Sequence, residues 1–160
     1  MSLTVPVGSD HQLARLLQTG IVLEEVVEAR ASKHAHESAV DLNDEVRAML
    51  EEAAEESAGH RDRLEGLIDE LDAETVPFEE IEALVEAQYE ADEDFDGVLY
   101  DQLCNEETAY KFYDDLIEVI EGAETSFNVD RDRVLAVLRE IRDEEEAGVE
   151  EVTALMEAKE

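Results

Sequence analysis

The stretch Asp96–Glu121, DGVLYDQLCNEETAYKFYDDLIEVIE, decides how this chain is read. Leu99, Leu103, Glu106, Ala109, Tyr113, Leu116 and Ile120 recur at steps of three and four, the spacing that lines one face of an α-helix. All are apolar or aromatic except Glu106. An ionised carboxylate on a face destined for burial is costly unless it is paired, hydrogen-bonded or bound to a metal. The stretch therefore predicts a helix with a chemically demanding acid at its centre.

Outward from it, three more segments carry the same periodicity. Ser9–Ser38 aligns Leu13, Leu17, Gly20, Glu24, Val27, Ala31 and His34. Asn43–Leu71 aligns Val46, Met49, Ala53, Glu56, His60, Leu64 and Leu67. Asp130–Ala158 aligns Val134, Val137, Ile141, Glu144, Gly148, Val152 and Leu155. Asn43, Asp96 and Asp130 are suited to N-caps, because a short side-chain oxygen can accept from an orphan backbone N–H. Each helix is about 40 Å long at ~1.5 Å per residue. The short links Val40–Leu42 and Gly122–Val129 predict two antiparallel hairpins. Between them, Asp72–Phe95 holds Pro77 and a short amphipathic stretch, Phe78–Tyr89. That connector is too long to join adjacent ends and suits a crossover along a bundle. The expected fold is all-α: a four-helix bundle of two antiparallel helix hairpins joined by one long crossover (about 72–95) containing a short helix. Residues 9–158 form one domain behind a tail at 1–8.

Charge sets the surface. Among 160 residues, 46 Asp and Glu face 12 Lys and Arg, a net charge of −34. Phosphate neutralisation needs clustered Lys and Arg, so nucleic acid is excluded as a partner, and an anionic membrane surface with it. The acidity is that expected of a halophilic protein, whose salt screens self-repulsion within about 3 Å at 1 M. A 44% apolar content at regular spacing argues for a packed core rather than disorder. The lone Cys104 excludes an intramolecular disulfide and fits a reducing cytoplasm. No leader-like or membrane-spanning run is visible, so a soluble, cytoplasmic protein is expected.

The two hairpins read as copies of one unit. An offset of 82 residues sets Glu24 on Glu106, Leu17 on Leu99 and Ile21 on Leu103. An offset of 88 sets Val46 on Val134, Glu56 on Glu144, His60 on Gly148 and Leu67 on Leu155. Glu24 and His60 stand equally far from the first bend, and Glu106 and Glu144 from the second. Each helix thus offers an acid at a similar depth: Glu24, Glu56, Glu106, and Glu144 with its neighbour Glu145.

This layout resembles the ferritin-like carboxylate proteins, nearest to rubrerythrin-type small ferritin-like domains, over roughly Gln12–Met156. The best local match is Asn105–Tyr113, a Glu followed seven residues later by a Tyr. The resemblance implies a carboxylate-bridged di-metal protein handling ferrous ion, dioxygen or peroxide as a ferroxidase- or peroxidase-type oxidoreductase. It implies two iron ions, with manganese as the alternative, an external electron donor, and no nucleic acid or membrane partner. Glu24 and Glu106 would bridge, Glu56 with His60 and Glu144 or Glu145 would hold the ends, and Tyr113 would stand behind the ligands as a tuning phenol. Two positions depart from the family pattern. Ser57 stands where its Glu-x-x-His needs Glu, and Gly148 stands where the second His belongs. That asymmetry keeps open a second reading, a non-catalytic bundle with a degenerate site acting as an interaction or dimerisation module. Assembly is equally open, a homodimer being the candidate.

Overall fold

The structure, a computed structural model, describes residues 8–37, 44–71, 98–123, 127 and 129–158. Among these there are four helices and no strand: α1 (Asp10–Glu37), α2 (Asp44–Leu71), α3 (Val98–Glu121) and α4 (Arg131–Ala158). The expected tail, the crossover with its short helix, and the N-caps Asn43 and Asp96 lie outside the described residues. No described helix is long and apolar enough to cross a membrane.

Local chemistry fixes the helix ends that are described. Asp130 caps α4 as expected, its Oδ1 accepting from the Asp132 amide at 3.0 Å. Ser9 caps α1 through Oγ, which accepts from the Gln12 amide at 3.2 Å, while Gln12 Oε1 reaches back to the Gly8 amide at 2.6 Å. At its end α3 tightens, with the Ala123 amide donating to the Ile120 carbonyl at 3.1 Å.

Side-chain pairs give the directions. Within the first hairpin Arg61 meets Glu28 at 2.6 Å, and the Arg47 guanidinium donates to the Ala35 carbonyl, so α1 and α2 are antiparallel. Arg139 with Glu121 and Arg142 with Asp114, both at 3.2 Å, make α3 and α4 antiparallel too. Across the hairpins, α1 opposes α3 through Tyr113–Glu24 and Arg30–Asp101, and α2 opposes α4 through Arg63–Glu144 and Arg133–Glu70. It follows that α2 and α3 run the same way. Packing is closer within each hairpin than between the two.

The apolar interior is in two parts. One cluster gathers Leu13, Leu17 and Ile21 with Leu64, Leu67, Phe112, Leu116, Leu138 and Ile141. The other gathers Ala31, Ala35, Val46, Met49, Leu50, Leu99 and Val152 toward the opposite end. Each fully buried Leu or Ile contributes about 1.5–3 kcal/mol. Between the clusters lies a layer of buried polar side chains: Glu24, Ser57, His60, Gln102, Asn105, Glu106 and Glu145.

The helical stripes need one correction of phase. Spacing put Glu56 and Glu144 on the buried faces of α2 and α4, yet their side chains are 41% and 36% exposed. The buried faces hold Ser57 and Glu145 instead. A stripe advancing by threes and fours can take either step first. In α4 it runs Val134, Leu138, Ile141, Glu145, Val152, one residue away from the expected choice around its middle.

Candidate metal centre

His60 occupies the middle of the polar layer, 1% exposed, and carboxylates from three helices converge on its ring. Nδ1 lies 3.3 Å from Glu24 Oε1 on α1 and 3.1 Å from Glu145 Oε1 on α4. On the other side of the ring, Nε2 lies 2.5 Å from Glu144 Oε2 on α4 and 3.9 Å from Glu56 Oε1 one turn back on α2. Glu106, on α3, brings a carboxylate oxygen within 4.8 Å of one on Glu145.

Neutral donors hold two of these acids. The Tyr113 hydroxyl donates to Glu24 Oε1 at 2.6 Å, and Gln102 Nε2 donates to Glu106 Oε1 at 2.9 Å from one turn back on α3. A Cβ at Gly20 would press on Leu64 and Phe112, both at 3.2 Å, and meet the Tyr113 hydroxyl oxygen at an ordinary 3.6 Å. A Cβ at Gly148 would sit 2.6 Å from Glu106 Oε2, so the Glu106 carboxylate occupies space that any side chain at 148 would contest. At the offset of 88 residues Gly148 matches His60 and Ser57 matches Glu145, so each hairpin carries one member of an acid–imidazole pair, and His60 and Glu145 meet across the hairpins at 3.1 Å.

Electrostatics in this layer are lopsided. Burial raises the Glu145 carboxyl well above its ordinary range, reinforced by the charge on Glu24 and by the Glu106 carboxylate beside it. Burial also raises Glu56, to about 7, with Glu106, Glu144 and Glu24 adding repulsion against the opposing pull of His60. For His60, burial works downward, but hydrogen bonding and attraction from Glu24, with help from Glu144 and Glu56, outweigh it and leave the imidazolium raised. The Tyr113 phenol is raised well above its usual value by burial and then by the Glu24 charge beside it. One carboxylate, Glu144, also meets Arg63 at 3.3 Å, on the exposed side.

What remains uncompensated faces inward. Glu24 Oε2 and Glu106 Oε2 are buried with no hydrogen-bond partner, as are Gln102 Oε1 and both polar atoms of the Asn105 amide. Orphaned buried polar atoms are uncommon, and an ion or a water beside them is among their physical explanations. Three overlapping triplets have donor atoms within 4.8 Å of one another: Glu24–His60–Glu145, Glu56–His60–Glu144 and Glu56–Glu106–Glu145. Their six members are the six side chains that the sequence nominates as ligands. Glu24 and Glu106, cast as bridges by the resemblance, fall in separate triplets, whereas Glu56, His60 and Glu145 each belong to two. A cation with bonds of roughly 2.0–2.2 Å holds neighbouring donors about 3.0–3.4 Å apart. The Glu24–His60–Glu145 separations of 3.1 and 3.3 Å already have that spacing. The residues fit a divalent metal ion, and a set of one imidazole with several carboxylates suits iron or manganese.

Sequence reasoning missed Gln102 and Asn105, and also Asp101, which is fully buried against Arg30 and His34. The available signal was their four-residue spacing: Gln102 precedes Glu106 by one helical turn, and Asp101 precedes Asn105 likewise. Cys104 is half-buried and forms no disulfide. Compared with protein-family models, with curated proteins and with solved structures, the chain finds no match.

Proposed function

We propose that this protein is a ferritin-like carboxylate bundle that binds two metal ions, iron foremost, and handles ferrous ion, dioxygen or peroxide. The observation that carries the reading is the convergence of two buried acids, Glu24 from α1 and Glu145 from α4, on one buried imidazole from α2, with one oxygen each of Glu24 and Glu106 left without a partner. The parallel course of α2 and α3 supports the single-crossover arrangement expected of that fold. Glu24, His60 and Glu145 would hold one ion, and Glu56 and Glu106 would hold the other with Glu145 common to both.

A bound iron supplies the one-electron chemistry. The chain supplies the rest. Tyr113 fixes Glu24 and Gln102 fixes Glu106 by donated hydrogen bonds, so both carboxylates are oriented before any ion arrives. The apolar clusters on either side keep bulk water from the layer, and the half-exposed Glu56 and Glu144 leave one side open for small reactants. Electrons for turnover would come from a separate donor. The tight Gly148–Glu106 approach favours this reading over a vestigial site, since Gly148 spares the carboxylate rather than merely lacking an imidazole.

The test is metal analysis of protein purified without chelator from iron-replete cells. Near-stoichiometric iron or manganese is expected, and occupancy below about 0.2 ion per chain overturns the reading. Ferrous ion added to metal-free protein, followed by absorbance with and without peroxide, then separates turnover from storage. Glu106→Ala should lose metal while keeping the fold.

A further inference from the structure

His60 is placed against two donor triplets through opposite edges of one ring. A neutral imidazole has a single lone pair available for coordination, because its other ring nitrogen carries hydrogen. The two His60 triplets therefore cannot both use the ring at one time, whatever their carboxylates do.

The two positions differ in every respect that bears on ion traffic. The Nε2 side is open: Glu56 is 41% exposed and Glu144 36%, and Arg63 already competes for Glu144. Its donor spacings, 2.5 and 3.9 Å, are uneven. The Nδ1 side is closed: Glu24 and Glu145 are 0% and 1% exposed, their spacings to Nδ1 are 3.3 and 3.1 Å, and Tyr113 holds Glu24 in place. A ring bound through Nδ1 also has an acceptor waiting for its Nε2–H, since Glu144 Oε2 is 2.5 Å away. A carboxylate accepting the free N–H is the usual support for a metal-bound histidine.

Resting on the metal reading above, we infer that His60 divides the centre into an outer capture position and an inner holding position. A divalent cation is first taken by Glu56, Glu144 and Nε2. It then passes to Glu24, Glu145 and Nδ1 as the ring exchanges its Nδ1 proton for one on Nε2. The proton leaving Nδ1 is taken by a facing carboxylate, Glu24 or Glu145, whose other oxygen stays available to the cation, and Nε2 gains its proton from solvent on the open side. The centre accordingly holds one imidazole-bound ion, and Glu144 governs the rate of loading rather than its extent.

Cobalt(II) added to metal-free protein gives the test, with uptake followed by its visible absorption in a stopped-flow instrument and occupancy measured after equilibration. Glu144→Gln, a residue used only by the outer triplet, should slow uptake at least tenfold and leave final occupancy and dissociation constant within about twofold of wild type. Glu24→Gln, used only by the inner triplet, should weaken binding at least tenfold without slowing the first phase. Arg63→Gln, which frees Glu144, should speed uptake. Glu146→Gln, an exposed neighbour on α4, controls for overall charge and should change neither. Circular dichroism at matched concentration confirms that each variant is folded. If wild type takes up no cobalt, the metal reading falls and this inference with it. If wild type binds cobalt but Glu144→Gln and Glu24→Gln weaken the equilibrium alike, or Glu144→Gln loads at the wild-type rate, the outer capture position is wrong and the metal reading stands.

Discussion

His34 and His60 both meet carboxylates in the space between helices, in opposite electrical settings. At the first, Asp101 on α3 is fully buried and receives Arg30 at 3.1 Å and His34 at 2.7 Å from α1. One acid is answered by a guanidinium that is always charged and by an imidazole beside it. At the second, Glu24, Glu106 and Glu145 are buried with Glu56 and Glu144 at their edge, and Arg63 pairs with Glu144 on the exposed side. Both clusters join helices of different hairpins. The first closes its charge within the chain and serves as a clamp. The second leaves buried carboxylates close together with orphaned oxygens among them, which is tolerable when a cation from outside completes it.

The largest effect should come from breaking the clamp. Asp101→Ala leaves Arg30 without its carboxylate, and losing one partner of a buried pair costs about 3–5 kcal/mol. The low end, about 3 kcal/mol, is expected because Arg30 and His34 are 17% and 24% exposed and water recovers part of the loss. Urea unfolding should show the same loss with manganese present or with chelator. A loss that depended on metal would mean that the two clusters are one.

Next in size is the response of the second cluster expected on adding a divalent cation. At a free manganese concentration one hundred times its dissociation constant, binding to the native state alone stabilises by about 2.7 kcal/mol. Glu145→Gln should abolish that increment. In chelator the same variant should be at least as stable as wild type, since it removes a carboxylate that burial and Glu24 disfavour. A variant that is destabilised in chelator would place Glu145 in the same class as Asp101.

The contrast was only half legible beforehand. Four helices and six candidate ligands could be read because apolar periodicity fixes helices, and because an acid on an apolar stripe has few physical explanations. Which acid turns inward could not. Glu144 and Glu145 are one residue apart, and a three-or-four-residue repeat does not choose between them until the facing helix supplies His60. Gln102 and Asn105 escaped because an uncharged amide on a helix raises no alarm, although both are buried and both retain unpaired atoms. The Asp101 clamp escaped for another reason. His34 was visible on its stripe, but its partner lies 67 positions along the chain, and local spacing carries no record of that pairing. Gly148 was legible as a departure, yet its purpose depends on where the Glu106 carboxylate sits.

A smaller effect separates the clusters by pH. Glu56 and Glu145 bind protons more tightly folded than unfolded, so their contribution is fully present below about 4.5 and declines as pH rises, for Glu56 through about 7. The raised His60 contributes below its ordinary 6.5 and loses that contribution as pH climbs through its higher folded value. All three have the same sign, so metal-free protein should melt at progressively lower temperature between pH 5 and 8. Solvent around the 41% exposed Glu56 moderates its share. Repulsion among the surface acids acts in the same direction, so the site's part is the difference between wild type and the Glu56→Gln/Glu145→Gln double variant. Two parallel curves would remove the cluster as its source. With saturating manganese the slope should flatten, because the cation favours the deprotonated carboxylates.

The smallest effect compares two glycines. Gly66 on α2 is exposed, and a Cβ there meets nothing within 4 Å; Gly148 on α4 faces the Glu106 carboxylate at 2.6 Å. In a helix interior Gly→Ala is worth about 1 kcal/mol on propensity alone. Gly66→Ala should gain about that much and bind manganese as wild type does. At Gly148 the contested atoms belong to the end of a flexible side chain, which can swing aside, so Gly148→Ala should keep about half of the same gain in chelator. The displaced carboxylate then no longer points into the layer, and manganese affinity should fall at least tenfold. Stability and binding would move in opposite directions at Gly148 and not at Gly66. That is the behaviour expected where a helix gives up intrinsic stability to make room for a ligand, and equal affinity in the two variants would return Gly148 to the status of an ordinary helix glycine.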